Sequence, residues 1–160
     1  MKKLLAIVVM GLLWSNSVFA EIDAEKIKTI KCELENIVLK KKLIGSDEKL
    51  PDEKYEGEML KQFYKEGVSK IETFKIKKDR IKSNTFKYFD SLWIKDNVIT
   101  GLTSIDKEQG GFTTILERSI SIDLNKMFAV VNKKISAGQN GNYKVVYGPI
   151  ILSYSKCTAK

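Results

Sequence analysis

A mainly β (α+β) fold, an antiparallel β-meander forming a curled sheet or small barrel with one amphipathic helix, is predicted by three observations. From Val68 onward, apolar residues recur at every second position, which is the period of a strand. Short polar turns carrying Asp or Asn interrupt these runs within 74–81, 92–99 and 120–127, as tight hairpin connections require. Upstream, Tyr55, Met59, Leu60, Phe63 and Tyr64 are spaced instead as one stripe of a helix.

Taken in order, residues 1–20 read as a cleaved signal peptide. Lys2 and Lys3 are its basic start, residues 4–13 its uncharged core, and Val18-Phe19-Ala20 its cleavage site. The uncharged run is short for a bilayer span. Cys32 lies too far downstream to serve as a lipid-anchored first residue. The expectation is one exported β-rich domain over 21–160, periplasmic or secreted, with no transmembrane segment in the mature chain.

A first strand is expected over 27–34, with Ile30, Cys32 and Leu34 on one face. The helix is expected near 51–66. Pro51 suits its first turn, neighbouring acidic residues suit its N-terminus and Gly67 stops it. Gly57 inside that span opposes it by about 1 kcal/mol. Strands follow near 71–77, 80–83, 86–95, 98–105, 112–123, 127–135 and 143–156. Alternation along 86–95 places Phe86, Tyr88, Leu92 and Ile94 on one side, and Phe89 and Trp93 on the other. Residues 127–131 and 150–152 are apolar on both sides, so these strands are expected to be covered on both faces.

In an oxidising compartment, two isolated cysteines, Cys32 and Cys157, are expected to pair as a structural disulfide tying the first strand to the last. No Cys-x-x-Cys spacing points to redox chemistry.

Composition narrows function. The 160 residues contain no histidine, which excludes Ser-His-Asp and Cys-His hydrolysis, imidazole acid–base chemistry and histidine-ligated metals. Lysine plus arginine number 28 against 20 acidic residues; without Lys2 and Lys3 the surplus of +8 becomes +6. Only Arg80 and Arg118 are arginine, which argues against nucleic acid as a partner.

Ser–Lys pairs three apart, at Ser46/Lys49, Ser104/Lys107 and Ser153/Lys156, are no commoner than composition alone gives and carry no acyl-enzyme reading. The acidic stretch 47–58 lacks a calcium-loop pattern and reads as a solvated helix face. No catalytic residue, metal site or cofactor is assigned.

Two binding readings remain. Phe89, Trp93, Phe112, Tyr143 and Tyr147 are candidates to line a cavity for a small apolar or amphiphilic ligand, although core aromatics have the same pattern. Arg118 shares a face with Ile120 and Ile122, so it is expected to point inward, either ion-paired or clamping a ligand carboxylate. The alternative partner is an anionic envelope surface of lipid or glycan, met by the lysine-rich stretch 61–95.

Overall fold

The computed structural model describes residues 23–40, 50–139 and 142–160, with the side chains of Tyr143, Val145, Val146 and Tyr147 excepted. The segment read as a signal peptide lies outside the described residues. Among the described residues ten antiparallel strands form one sheet: β1 (Thr29–Leu39), β2 (Glu53–Glu56), β3 (Ile71–Ile76), β4 (Ile81–Ser83), β5 (Lys87–Phe89), β6 (Ser91–Lys95), β7 (Val98–Gln109), β8 (Phe112–Asp123), β9 (Phe128–Gln139) and β10 (Asn142–Ala159).

The spatial order is β5-β4-β3-β1-β10-β9-β8-β7-β6. One edge of β1 pairs with β10. Its other edge is shared, Thr29–Glu33 pairing with β3 and Asn36–Leu39 with β2. The two ends of the sheet, β5 and β6, are consecutive in the chain and separated only by Asp90. Because β5 also packs against β7 and β8, the sheet curls into a nearly closed barrel.

The expected helix over 51–66 is corrected. Its first part is β2, followed by a 3-10 turn at Gly57–Leu60 and a short helix, α1 (Lys61–Lys65). Glu53–Glu56 finds backbone partners on the free half of the β1 edge, and Gly57 at φ 57° turns the chain out of the strand. The apolar spacing survives in compressed form, with Leu60 buried and Phe63 and Tyr64 half-buried against the core.

A second correction concerns 86–95, which is two strands. At Asp90 the backbone N–H leaves the ladder to donate to Thr103 Oγ1. The inward phase changes there: Phe89 is buried before the corner, whereas Leu92 and Ile94 pack inward after it.

Ladder register stacks the interior of five strands, β1, β10, β9, β8 and β7, in tiers. Leu34, Tyr154, Ala129, Ile122 and Ile99 pair in sequence across the sheet, and all five are buried. Two residues along β10, β9, β8 and β7, and three along β1 where the ladder is irregular between Leu34 and Asn36, the next tier is Ile37, Leu152, Val131, Ile120 and Gly101, again buried. Phe74, Ile81 and Phe89 from β3, β4 and β5 fill the opposite wall, each 0% exposed. Complete burial of such a side chain contributes about 1.5–3 kcal/mol.

On that wall Glu72 is buried and holds the turn between β4 and β5. Its Oε1 accepts from Ser83 Oγ at 2.9 Å, Asn84 N–H at 2.6 Å and Thr85 N–H at 3.3 Å, while Oε2 accepts from the Thr85 hydroxyl. A buried carboxylate needs such a full set of donors. Burial, reinforced by the charge of Glu72, pushes the Tyr154 phenol far above its ordinary pKa, so it stays protonated.

Cys32 and Cys157 form a disulfide between β1 and β10, beside an irregularity in the ladder between Lys31 and Glu33. The bond joins the first strand to the last at the middle of the sheet order, away from the β5/β6 seam.

Candidate functional site

One further step along the same five strands, the apolar stacking ends. The third tier reads Leu39, Ile150, Lys133, Arg118 and Thr103, each residue paired with the next across the ladder. Strand alternation dictates this: Arg118 shares a face with Ile120, and Lys133 shares one with Val131. All of these but Thr103 border a cavity of about 330 Å³ at one end of the barrel. That volume falls near the lower end of the range of about 300–1,000 Å³ for small-molecule sites.

Ile37, Leu39, Ile150 and Leu152 give the cavity an aliphatic wall from β1 and β10, and Leu116 adds to it from β8. Opposite stand Phe63 from α1, then Glu66, Gly67 and Val68 after it, with Thr85 and Phe86 from the turn before β5. Gly67 at φ 92° ends α1 and directs the chain into Val68. Phe63 is held in place by an edge-on contact with Tyr55 of β2, ring centroids 5.0 Å apart. That contact braces Phe63 against a strand that the sheet itself holds.

Among the described residues Arg118 and Lys133 are the two cationic groups of the lining, and Glu66 is its one carboxylate. The Arg118 guanidinium donates from Nη1 to the Phe86 carbonyl, and its Nε is buried without a partner among the described residues. Burial lowers the Arg118 pKa from its ordinary value, while the charge of Asp90 acts in the opposite direction. The expectation of a structural ion pair is thus corrected: Arg118 points inward but contacts a carbonyl, and the neighbouring carboxylate, Glu117, turns outward to Lys134 at 2.8 Å. Like charges directly opposite each other on paired strands destabilise a sheet, and Arg118 and Lys133 hold this relation.

No protein family, curated protein or solved structure matches the chain significantly. What the site does must be argued from its own side chains.

Of the residues singled out from sequence whose side chains are described, Arg118 is the one on the cavity wall. Phe89 is fully buried in the core below it. Trp93, 49% exposed, pairs with Thr100 on the outer face of β6 and β7. Phe112 is 56% exposed and follows the inward alternation of β8 past Leu116, on a hairpin that runs beyond the cavity together with Ile105 of β7. The Tyr143 and Tyr147 side chains lie outside the described residues.

Lys133 was legible and missed, because a lysine at the next alternate position after Ala129 and Val131 on an apolar strand is an inward charge. Phe63 was hidden by the longer helix expected around it.

A larger groove, about 470 Å³, runs outside the barrel between α1 and the β1/β10 surface. Its lysines are already engaged, Lys156 by Glu33 at 3.1 Å, Lys70 by Glu33 at 3.9 Å and Lys61 by Glu58. Among the described residues there is no group of three His, Cys, Asp or Glu placed to hold a metal ion.

Proposed function

We propose that this protein is a non-enzymatic exported binding protein for a small amphiphilic ligand, which it holds at the open end of its barrel. The observation that carries the reading is the change of character between successive tiers of one continuous wall, from fully apolar to partly cationic, at the floor of a cavity. An apolar group excluded from water and a polar group fixed at one end is what such a wall accommodates. The signal-like residues 1–20 and the disulfide support an oxidising, exported location.

The test is titration of the purified chain with the neutral dye phenylnaphthylamine, together with native mass spectrometry after mild purification. Saturable dye fluorescence, quenched by Phe63→Ala or Leu152→Gln, is expected. An unresponsive dye and a bare protein mass would sink the reading.

A second reading keeps the lysine-rich surface as a contact for anionic lipid or glycan. It is favoured by Lys75 of β3 and Lys82 of β4, which are exposed and directly opposite each other. Neither has an acidic partner among the described residues. Binding to anionic vesicles should then weaken steeply with salt, and salt-independent binding would count against it.

A further inference from the structure

We infer that the ligand carries a single negative charge at its head, and that Arg118 and Lys133 receive that head as a pair: the cavity selects an amphiphilic monoanion, of which a medium-chain carboxylate is the simplest form. The inference rests on the amphiphile reading above and adds to it the sign, number and position of the charge.

Three observations converge on it. First, Arg118 and Lys133 are directly opposed across β8 and β9, both on the cavity side. Such a pair repels itself in the empty protein, and an anion placed between them turns that repulsion into two attractions. Second, among the described residues the lining supplies two cations and one carboxylate, Glu66, a formal surplus of one positive charge. A head bearing one negative charge neutralises the cavity, whereas a neutral or cationic head leaves or increases the imbalance. Third, the guanidinium is incompletely used: Nη1 is engaged by the Phe86 carbonyl, but the buried Nε has no partner among the described residues. Arginine is suited to paired hydrogen bonds with carboxylate or phosphate oxygens, and lysine adds a mobile point charge beside it.

The neighbouring tier fixes the orientation. Two residues from the cations, Ile120 and Val131 are 1% and 0% exposed, and the barrel below them is filled. On the β8/β9 side the tail therefore cannot descend past the cations into the barrel. It lies along Leu39, Ile150 and Leu116, under Phe63, and emerges toward the exposed inner face that carries Ile105 and Phe112. The head is at the floor and the tail is toward the opening.

The experiment displaces bound phenylnaphthylamine with three ligands of equal chain length: decanoate, decanol and decyltrimethylammonium. Decanoate should compete at least about tenfold better than decanol, and the cationic amphiphile should be the weakest. Lys133→Gln and Arg118→Gln should each remove about tenfold of the decanoate affinity and leave decanol unchanged. Lys134→Gln, on the outer face of β9, should change neither and controls for overall charge.

Because Arg118 is partly buried, Lys133→Gln, at the other cation of the cavity lining, keeps the test open if the arginine variant unfolds. Equal competition by decanoate and decanol, or unchanged decanoate affinity in folded Lys133→Gln, would overturn the monoanion inference while leaving the amphiphile site standing. Failure of the dye and all three ligands to bind would remove both. Stronger binding of a dianionic decyl phosphate than of decanoate would overturn the single charge.

Discussion

Asp90 and Thr103 are joined across the seam of the barrel: the Asp90 backbone N–H donates to Thr103 Oγ1 at 2.8 Å. The threonine hydroxyl lies 3.2 Å from the Tyr88 carbonyl and 3.0 Å from Asp90 Oδ2, either of which can take its proton. Thr103 thus supplies from its side chain the bonds that a missing ladder between β5 and β7 does not. Thr103→Val keeps the shape and removes the hydroxyl. Because Asp90 is at the surface and its amide can turn to water, the expected loss is about 1 kcal/mol, at the lower end of the range for an orphaned partner. Hydrogen exchange checks the mechanism: the Asp90 amide should exchange faster while that of Ile122 is unaffected, and Thr103→Ser should behave as wild type.

Gly101 permits the closure that Thr103 secures. A Cβ at this position would stand 2.9 Å from Ile81 Cδ1, 2.9 Å from Phe89 Cβ and 3.0 Å from Ile120 Cγ2. Ile81 and Phe89 belong to the far wall, so the missing side chain is what lets β4 and β5 approach β7. Gly101→Ala should cost about 1–3 kcal/mol by overpacking. That loss would appear as a drop of several degrees in Tm, with added near-ultraviolet change from Phe89 and Phe86. A variant as stable as wild type would show that the seam yields without penalty.

Sequence periodicity made most of the sheet legible, because hairpins fix register locally. The three Asp- or Asn-bearing breaks at 74–81, 92–99 and 120–127 all fall between paired strands. What escaped the reading was decided by partners distant in sequence. Residues 53–56 became a strand because half of the β1 edge was free, and the alternation of 86–95 changed phase because Thr103 captured Asp90. Gly101 carried a signal that was not used, since a glycine inside an otherwise regular strand marks a close approach. The site was half legible. Arg118 stood out as a charge on an apolar face, but its pairing with Lys133 depends on the register between β8 and β9, which no single strand states.

Acid should weaken the turn between β8 and β9. Asp123 Oδ1 accepts from the N–H groups of Asn125 and Lys126, each at 3.0 Å, and Oδ2 meets Lys126 Nζ at 3.2 Å. The Lys126 backbone hydrogen bond leads the effects that hold this carboxyl below its ordinary pKa, and burial, next in size, opposes it. A folded-state value below the unfolded one means that the contribution is present above the unfolded value and is lost as pH falls through the folded one. The site is close to solvent, so the whole contribution is under about 1 kcal/mol. Asp123→Ala should therefore be less stable than wild type at neutral pH, and the gap should narrow in acid as the wild-type carboxyl protonates. Urea midpoints for both proteins across acid to neutral pH test this, and a gap independent of pH would contradict it.

The disulfide acts chiefly on the unfolded chain. Cys32 and Cys157 are 125 residues apart in sequence, yet their Cα atoms lie 4.1 Å apart on adjacent strands that are also joined by backbone pairing from Ile30 to Leu39. Cutting the bond leaves those pairings in place, and Cys157 N–H still donates to the Met127 carbonyl at 3.2 Å. What changes is the freedom of the denatured chain, for which loop-closure entropy sets a ceiling of about 5 kcal/mol. The double variant Cys32→Ala/Cys157→Ala should keep the far-ultraviolet spectrum of the oxidised protein and lose about 2–5 kcal/mol in urea unfolding. Reduction of the wild type should reproduce that loss without any mutation. If the variant instead lost its strand signal in the absence of denaturant, the bond would be required to hold β1 against β10, and the ladder alone would be insufficient. If neither treatment moved the midpoint, the unfolded chain would already be confined by other contacts.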